Sequence, residues 1–75
     1  MTRQELLEQI ADALQRDEAL EESMLLSDIE EYDSLGIISL ITLYDGFGIA
    51  LTGSALRECE SVKDLVILAK DVLQD

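Results

Sequence analysis

Ser34 is the residue of this chain whose position best suits covalent chemistry. It follows Asp33, a residue type that favours helix N-caps because its carboxylate accepts hydrogen bonds from backbone N–H groups without partners inside the helix. The serine then lies in the first helical turn, where the helix dipole would stabilise a phosphate esterified to its hydroxyl. Leu35 begins an apolar run that anchors this turn to a core and leaves the serine facing water. The arrangement suits an attachment point for a phosphate-linked prosthetic group.

The other residues offer little chemistry for catalysis. The chain contains no histidine, so a Ser-His-Asp relay and histidine ligation of zinc are both excluded. One cysteine cannot build a zinc or iron–sulfur site, and we expect Cys59 to be a small, at least half-buried side chain. Glu30 and Glu31 are adjacent acids, but they lie in an acidic run that we interpret as a solvated loop. We therefore expect neither an enzyme nor a specific metal site.

The first half of the chain is predicted to contain one helix and a long loop. A capping box between Thr2 and Glu5, followed by apolar residues at helical spacing, predicts a helix over residues 3–16. The pattern is lost over residues 17–32, where we expect local turns and not a structureless loop. Four apolar residues of this loop are predicted to return to the core: Met24, Leu25, Leu26 and Ile29.

Three further helices are predicted in the second half. The apolar run predicts a helix from Ser34 to residue 45 or 46, and a brief third helix is predicted over residues 55–59. Ser61 and Asp64 form a second capping box, from which the fourth helix begins. Its apolar stripe contains Val62, Leu65, Val66, Ala69, Val72 and Leu73. The prediction is an all-α fold, a single domain over residues 1–75 built as a small four-helix bundle with three longer helices and a short third one.

Net charge narrows the classes of partner. Seventeen acidic residues against five basic ones give a net charge of −12, and residues 17–56 contain nine carboxylates without a lysine or arginine. We expect no nucleic-acid partner, because no basic groove is available to neutralise phosphates. We also expect no membrane insertion, because every apolar run is too short. Basic surfaces of other proteins are the natural counterpart. We expect a monomer. We also expect a cytoplasmic location, because the single cysteine fits a reducing compartment.

The order of three motifs resembles the acyl carrier protein family. Asp33-Ser34-Leu35 precedes an apolar helix, Phe47-Gly48-Ile49 follows it, and Ser61-Val62-Lys63-Asp64-Leu65 begins the last helix. The resemblance extends over nearly the whole chain, and it implies a 4′-phosphopantetheine arm on Ser34, with Asp33 and Leu35 forming the attachment site. It also implies a phosphopantetheinyl transferase, a loading ligase for acyl or aminoacyl groups, and acyltransferase or synthase partners. The cargo could be a fatty acid, a polyketide unit or an amino acid.

The second helix departs from the pattern of fatty-acid carriers. Asp45 is its one acidic residue, and Gly36 and Ser39 stand where carboxylates are common in that family. The departure indicates a specialised carrier whose acidic contribution to docking comes from the loop before the helix. The expected partner-binding residues are Glu30, Glu31, Ile38, Ser39, Thr42 and Asp45. The alternative is an unmodified acidic helical adaptor that docks a basic partner through the second helix.

Overall fold

The predicted all-α class is confirmed. The computed structural model describes residues 1–74, and these contain four α-helices and no strand beyond one isolated bridge between Leu25 and Ser61. The α-helices and two short 3₁₀ turns follow in this order: α1 (Arg3–Ala13), a 3₁₀ turn (Leu26–Asp28), α2 (Ser34–Gly46), α3 (Gly53–Glu58), α4 (Val62–Leu68) and a second 3₁₀ turn (Lys70–Val72). Over residues 1–74, no helix combines the length and apolar character that crossing a membrane requires.

The helix α1 begins as predicted and ends earlier. Both hydrogen bonds of the capping box form between Thr2 and Glu5. The helix ends at Ala13 and not at Arg16, because Gln15 adopts a left-handed backbone conformation with φ of 58°. The Arg16 N–H then donates to the Ala11 carbonyl at 2.9 Å, which is the pattern of a Schellman cap. The predicted extension of this helix to residue 16 is therefore wrong.

One core joins α1, α2 and α4. Its fully buried side chains include Leu6 and Ile10 from α1, Leu40 from α2 and Leu65 from α4. Burying each such side chain contributes about 1.5–3 kcal/mol relative to its exposed state. Tyr44 is also fully buried, and its hydroxyl donates to the Leu65 carbonyl. The apolar side chains at helical spacing therefore fix which face of each helix points inward.

The loop between α1 and α2 is pinned to the start of α4. Leu26 N–H donates to the Glu60 carbonyl, and Val62 N–H donates to the Met24 carbonyl, both at 2.9 Å. Leu26 and Ile29 are buried and Met24 is half-buried, as predicted. Leu25 is 49% exposed, so its predicted return to the core is wrong. The short extended pairing with Ser61 explains this, because alternate side chains along an extended segment point in opposite directions.

The last two helices are both short. Thr52 caps α3 by accepting from the Ala55 N–H at 3.1 Å, so the helix starts two residues before the predicted one. Its Leu56 is buried. The capping box of Ser61 and Asp64 forms as predicted, but α4 ends at Leu68 and continues as a 3₁₀ turn. The prediction of a long fourth helix is therefore corrected, although Val62, Leu65, Val66 and Ala69 of its stripe are buried.

Candidate functional site

The first residue of α2 is Ser34, and its side chain is exposed. Asp33 is the N-cap, as predicted: its Oδ1 accepts from the Gly36 N–H at 2.9 Å. The Ile37 N–H donates to the Asp33 carbonyl, also at 2.9 Å. Among the described residues, no hydrogen bond engages the Ser34 hydroxyl. The Ser34 hydroxyl is therefore free and faces solvent at the positive end of α2.

The residues just before the serine are held by side-chain contacts. Glu31 accepts from Nη1 of Arg16 at 3.0 Å, and the Tyr32 hydroxyl donates to the Leu56 carbonyl at 3.3 Å. A hydrogen bond from its own backbone and the Arg16 guanidinium hold the pKa of the Glu31 carboxyl below its usual range. Glu31 is thus a half-buried carboxylate with a partner in the chain, whereas Glu30 is exposed. The sequence carries no local signal for either contact, because each joins residues that are far apart along the chain.

Gly36 lets α2 approach the end of α1. A Cβ at this position would lie 2.4 Å from the Glu31 carbonyl oxygen and 2.8 Å from Cδ2 of Leu14. Both distances are below those that real Cβ atoms adopt, so the close approach requires glycine. Gly36 is therefore a packing residue beside the start of α2.

Several of the expected partner-binding residues share one outer face of α2. Ser34, Ile38, Thr42 and Asp45 are exposed and follow one another at helical spacing. Leu35 beside them is 74% exposed and Ile38 is 60% exposed. The face around the serine is therefore apolar near the start of the helix and becomes acidic at Asp45. Ser39, by contrast, is half-buried and lines a cleft between α1 and α2.

Two clefts lie near the start of α2. The first, of about 470 Å³, lies between α1 and α2 and is lined by Gln15, Glu31, Asp33 and Ser39 among others. The second, of about 510 Å³, lies between α2 and α3. Its apolar lining includes Leu26, Ile29, Tyr32, Ile37, Leu56 and Cys59. The sequence neighbours of Ser34 therefore line both clefts, Asp33 and Leu35 the more polar one and Tyr32 and Ile37 the apolar one.

The remaining chemical groups of the described residues do not form a second site. No group of three or more carboxylate or thiol side chains among residues 1–74 could hold a metal ion. Burial, followed by the charges of Asp64 and Glu58, raises the pKa of the Cys59 thiol. Its Sγ also lies 3.4 Å from the Ala55 carbonyl oxygen. Cys59 is half-buried, as predicted, and its raised pKa disfavours the reactive thiolate.

Comparisons of the chain with models of known protein families, with curated proteins and with solved structures gave no match.

Proposed function

We propose that this chain is a carrier protein that bears a 4′-phosphopantetheine arm on Ser34 and delivers thioester-linked groups to partner enzymes. The observation that carries the proposal is the free, exposed hydroxyl of Ser34 at the first position of α2, next to its Asp33 cap. The order of motifs that resembles acyl carrier proteins supports it. When bound, the arm would supply a terminal thiol that holds acyl or aminoacyl cargo, because the chain itself offers no reactive thiol.

The residues at the start of α2 fit such a group. Ser34 is accessible, and the helix N-terminus favours the negative charge of a phosphodiester. In the loading step, the Ser34 oxygen would bond to the phosphorus that carries pantetheine in coenzyme A, and the pyrophosphate bond would break. Adenosine 3′,5′-bisphosphate would leave, and the serine proton would pass to a base of the transferase. The carboxylate beside Ser34, that of Asp33, is engaged in capping α2 through the Gly36 N–H, so a separate phosphopantetheinyl transferase would supply the base.

The surface around Ser34 combines an apolar contact area with acidic residues at its edge, and this combination suits docking to a partner. Leu35 and Ile38 offer exposed apolar side chains, while Glu30 and Asp45 offer carboxylates on either side. A transferase, a loading ligase or an acyltransferase with an apolar contact bordered by basic residues would complement this surface.

An unmodified adaptor is the second candidate, because the exposed Leu35 and Ile38 would also suit a partner that binds without a prosthetic group. Intact-mass spectrometry after incubation with coenzyme A and a broad-specificity transferase separates the two. The carrier proposal predicts the gain of one phosphopantetheinyl group, its loss in Ser34→Ala and its retention in Ser54→Ala. Ser54 is a matched control because it is also an exposed serine in the first turn of a helix. An unmodified wild type whose partner binding is unchanged by Ser34→Ala would favour the adaptor.

A further inference from the structure

The three residues that precede Ser34 are tied to three different helices or helix ends. Glu31 pairs with Arg16 just beyond α1, and Tyr32 donates to the Leu56 carbonyl in α3. Asp33 caps α2 itself through the Gly36 N–H. The segment 31–33 therefore has an anchor for each side chain, although it belongs to no helix.

The Arg16–Glu31 pair is the stronger of the two ion pairs that Arg16 makes. The Arg16 side chain is 13% exposed and the Glu31 side chain is 35% exposed. The distance between Nη1 of Arg16 and Oε1 of Glu31 is 3.0 Å. The Glu18 side chain is 85% exposed, and its Oε2 lies 3.4 Å from Nη2 of Arg16. Water therefore screens the Arg16–Glu18 pair more strongly. Within residues 1–74, the buried Nε of Arg16 has no hydrogen-bond partner, so the guanidinium depends on Glu31 for most of its compensation.

The anchored segment also forms one wall of the close contact at Gly36. The Glu31 carbonyl oxygen occupies the space that a side chain at Gly36 would need. A shift of Glu31 would therefore disturb both the approach of α2 to α1 and the turn from which Ser34 projects. The Schellman cap after α1 contributes as well, because it turns the chain at Gln15 so that Arg16 reaches Glu31.

We propose that Arg16 and Tyr32 are positioning residues for Ser34, acting through the anchored segment 31–33. The inference rests on the proposed function, since its consequence is faster loading of the serine. If the start of α2 is already ordered, a transferase does not have to order it during binding. Such pre-organisation lowers the entropy cost of forming a productive complex. Neither residue touches the reacting oxygen, so their contribution is geometric and not catalytic.

The central experiment compares Glu31→Gln with Glu18→Gln. Both variants remove one negative charge from the surroundings of the same guanidinium, but only the first breaks the shielded pair. In the unmodified protein, we expect Glu31→Gln to speed amide hydrogen exchange at Gly36 and Ile37 by about tenfold, and Glu18→Gln to leave it unchanged. Exchange at Ile10 in α1 should stay at its wild-type rate, which would show that the loosening is local.

Loading kinetics with a broad-specificity transferase provide the second readout. We expect kcat/KM for Glu31→Gln to fall by about tenfold and that for Glu18→Gln to match wild type. Arg16→Lys keeps a charge that can reach Glu31, so it should recover part of the rate that Arg16→Gln loses. The double variant Arg16→Gln/Glu31→Gln should lose less than the sum of its single variants, because they remove the same interaction. Tyr32→Phe removes only a hydroxyl, so it should lower kcat/KM for loading by less than Glu31→Gln does.

The outcomes separate this inference from the proposed function. A wild type that no transferase loads would refute the carrier proposal, and the exchange rates of the unmodified protein would still test the anchored segment. Equal exchange at Gly36 in Glu31→Gln and Glu18→Gln would overturn the inference. Unchanged loading kinetics in Glu31→Gln and Tyr32→Phe, with a loaded wild type, would overturn it as well.

Discussion

At the scale of single residues, Gly36 sets how closely the start of α2 approaches α1. A glycine in the first turns of a helix ordinarily costs about 1 kcal/mol relative to alanine. Here the balance is reversed, because the Glu31 carbonyl oxygen and the Leu14 side chain fill the space of a Cβ. The carbonyl belongs to the backbone and cannot rotate away, so any larger residue must displace α2.

We predict that Gly36→Ala destabilises the fold by about 1–3 kcal/mol, as expected of overpacking. Gly46→Ala is the matched control, because nothing lies within 4 Å of its Cβ position and the residue ends the same helix. We expect the control to be neutral or to gain up to about 1 kcal/mol from alanine's higher helix propensity. Urea unfolding measures both variants. Equal free energies of unfolding for the two would contradict the packing role of Gly36.

Some features of the site follow from the local sequence, and others depend on residues far apart along the chain. The cap at Asp33 and the exposure of Ser34 follow from residue type and short spacing, and the structure has both. The Arg16–Glu31 pair joins residues fifteen positions apart. It depends on the path of the loop between them, which no local pattern specifies. The tight contact at Gly36 was unpredicted for the same reason.

At the scale of elements, helix ends were harder to predict than helix faces. The apolar stripes identify the buried faces of α1 and α4, and both capping boxes form where the sequence has them. The end of α1 was missed because its left-handed position holds Gln15, where glycine would have marked the cap. The end of α4 was missed because its stripe continues through the 3₁₀ turn Lys70–Val72.

We predict that Gln15→Gly stabilises the fold by about 1 kcal/mol, because glycine adopts positive φ without the clash that a Cβ causes. Gln9→Gly is the matched control. It makes the same substitution inside α1 (Arg3–Ala13) and should cost about 1 kcal/mol. Thermal unfolding should show shifts of opposite sign. A lowered midpoint for Gln15→Gly would contradict the cap that we describe.

The capping box of α4 predicts a dependence of stability on pH. Hydrogen bonds from the backbone N–H groups of Glu60 and Ser61 hold the pKa of the Asp64 carboxyl below its ordinary value of 3.8. Since the folded pKa is the lower one, the contribution is fully present above the unfolded pKa. It is lost as the pH falls through the folded pKa.

We therefore expect Asp64→Asn to be less stable than wild type at neutral pH, with a difference that shrinks as the pH falls below about 4. Asp71→Asn is the control, because it removes the same formal charge from an exposed residue without touching the capping box. Unfolding midpoints over a pH series measure the difference for each variant. A gap between Asp64→Asn and wild type that stays constant down to the lowest pH would contradict the role of the carboxylate.

At the scale of the whole molecule, repulsion between negative charges destabilises the folded state. The net charge is −12, and the nine carboxylates of residues 17–56 include those of the long loop and both ends of α2. Only two ion pairs, both of Arg16, are found within residues 1–74 apart from any that Arg3 makes. Most of the repulsion is therefore uncompensated inside the fold and is left to solvent ions or to a basic partner.

We predict that salt stabilises this protein. Raising the ionic strength from roughly 0.01 M to 0.15 M shortens the Debye length from about 30 Å to about 8 Å, so repulsion across the molecule is screened. The midpoint of thermal unfolding should rise accordingly. A variant with amides at Glu21, Asp28 and Glu30, all exposed, should show a smaller rise. A midpoint that is insensitive to salt in both proteins would contradict this account of the charge.

Modification of Ser34 distinguishes a carrier from a small acidic adaptor, and mass-spectrometric fragmentation would locate the arm. The chain would be purified from cells that also express a broad-specificity phosphopantetheinyl transferase, and its peptides would be fragmented. We predict one phosphopantetheinyl group per chain, carried by the peptide that contains Asp33-Ser34-Leu35 and assigned to Ser34. A chain that stays unmodified while a known carrier in the same cells is fully loaded, or an arm on another serine, would show that Ser34 is not the attachment point of a carrier.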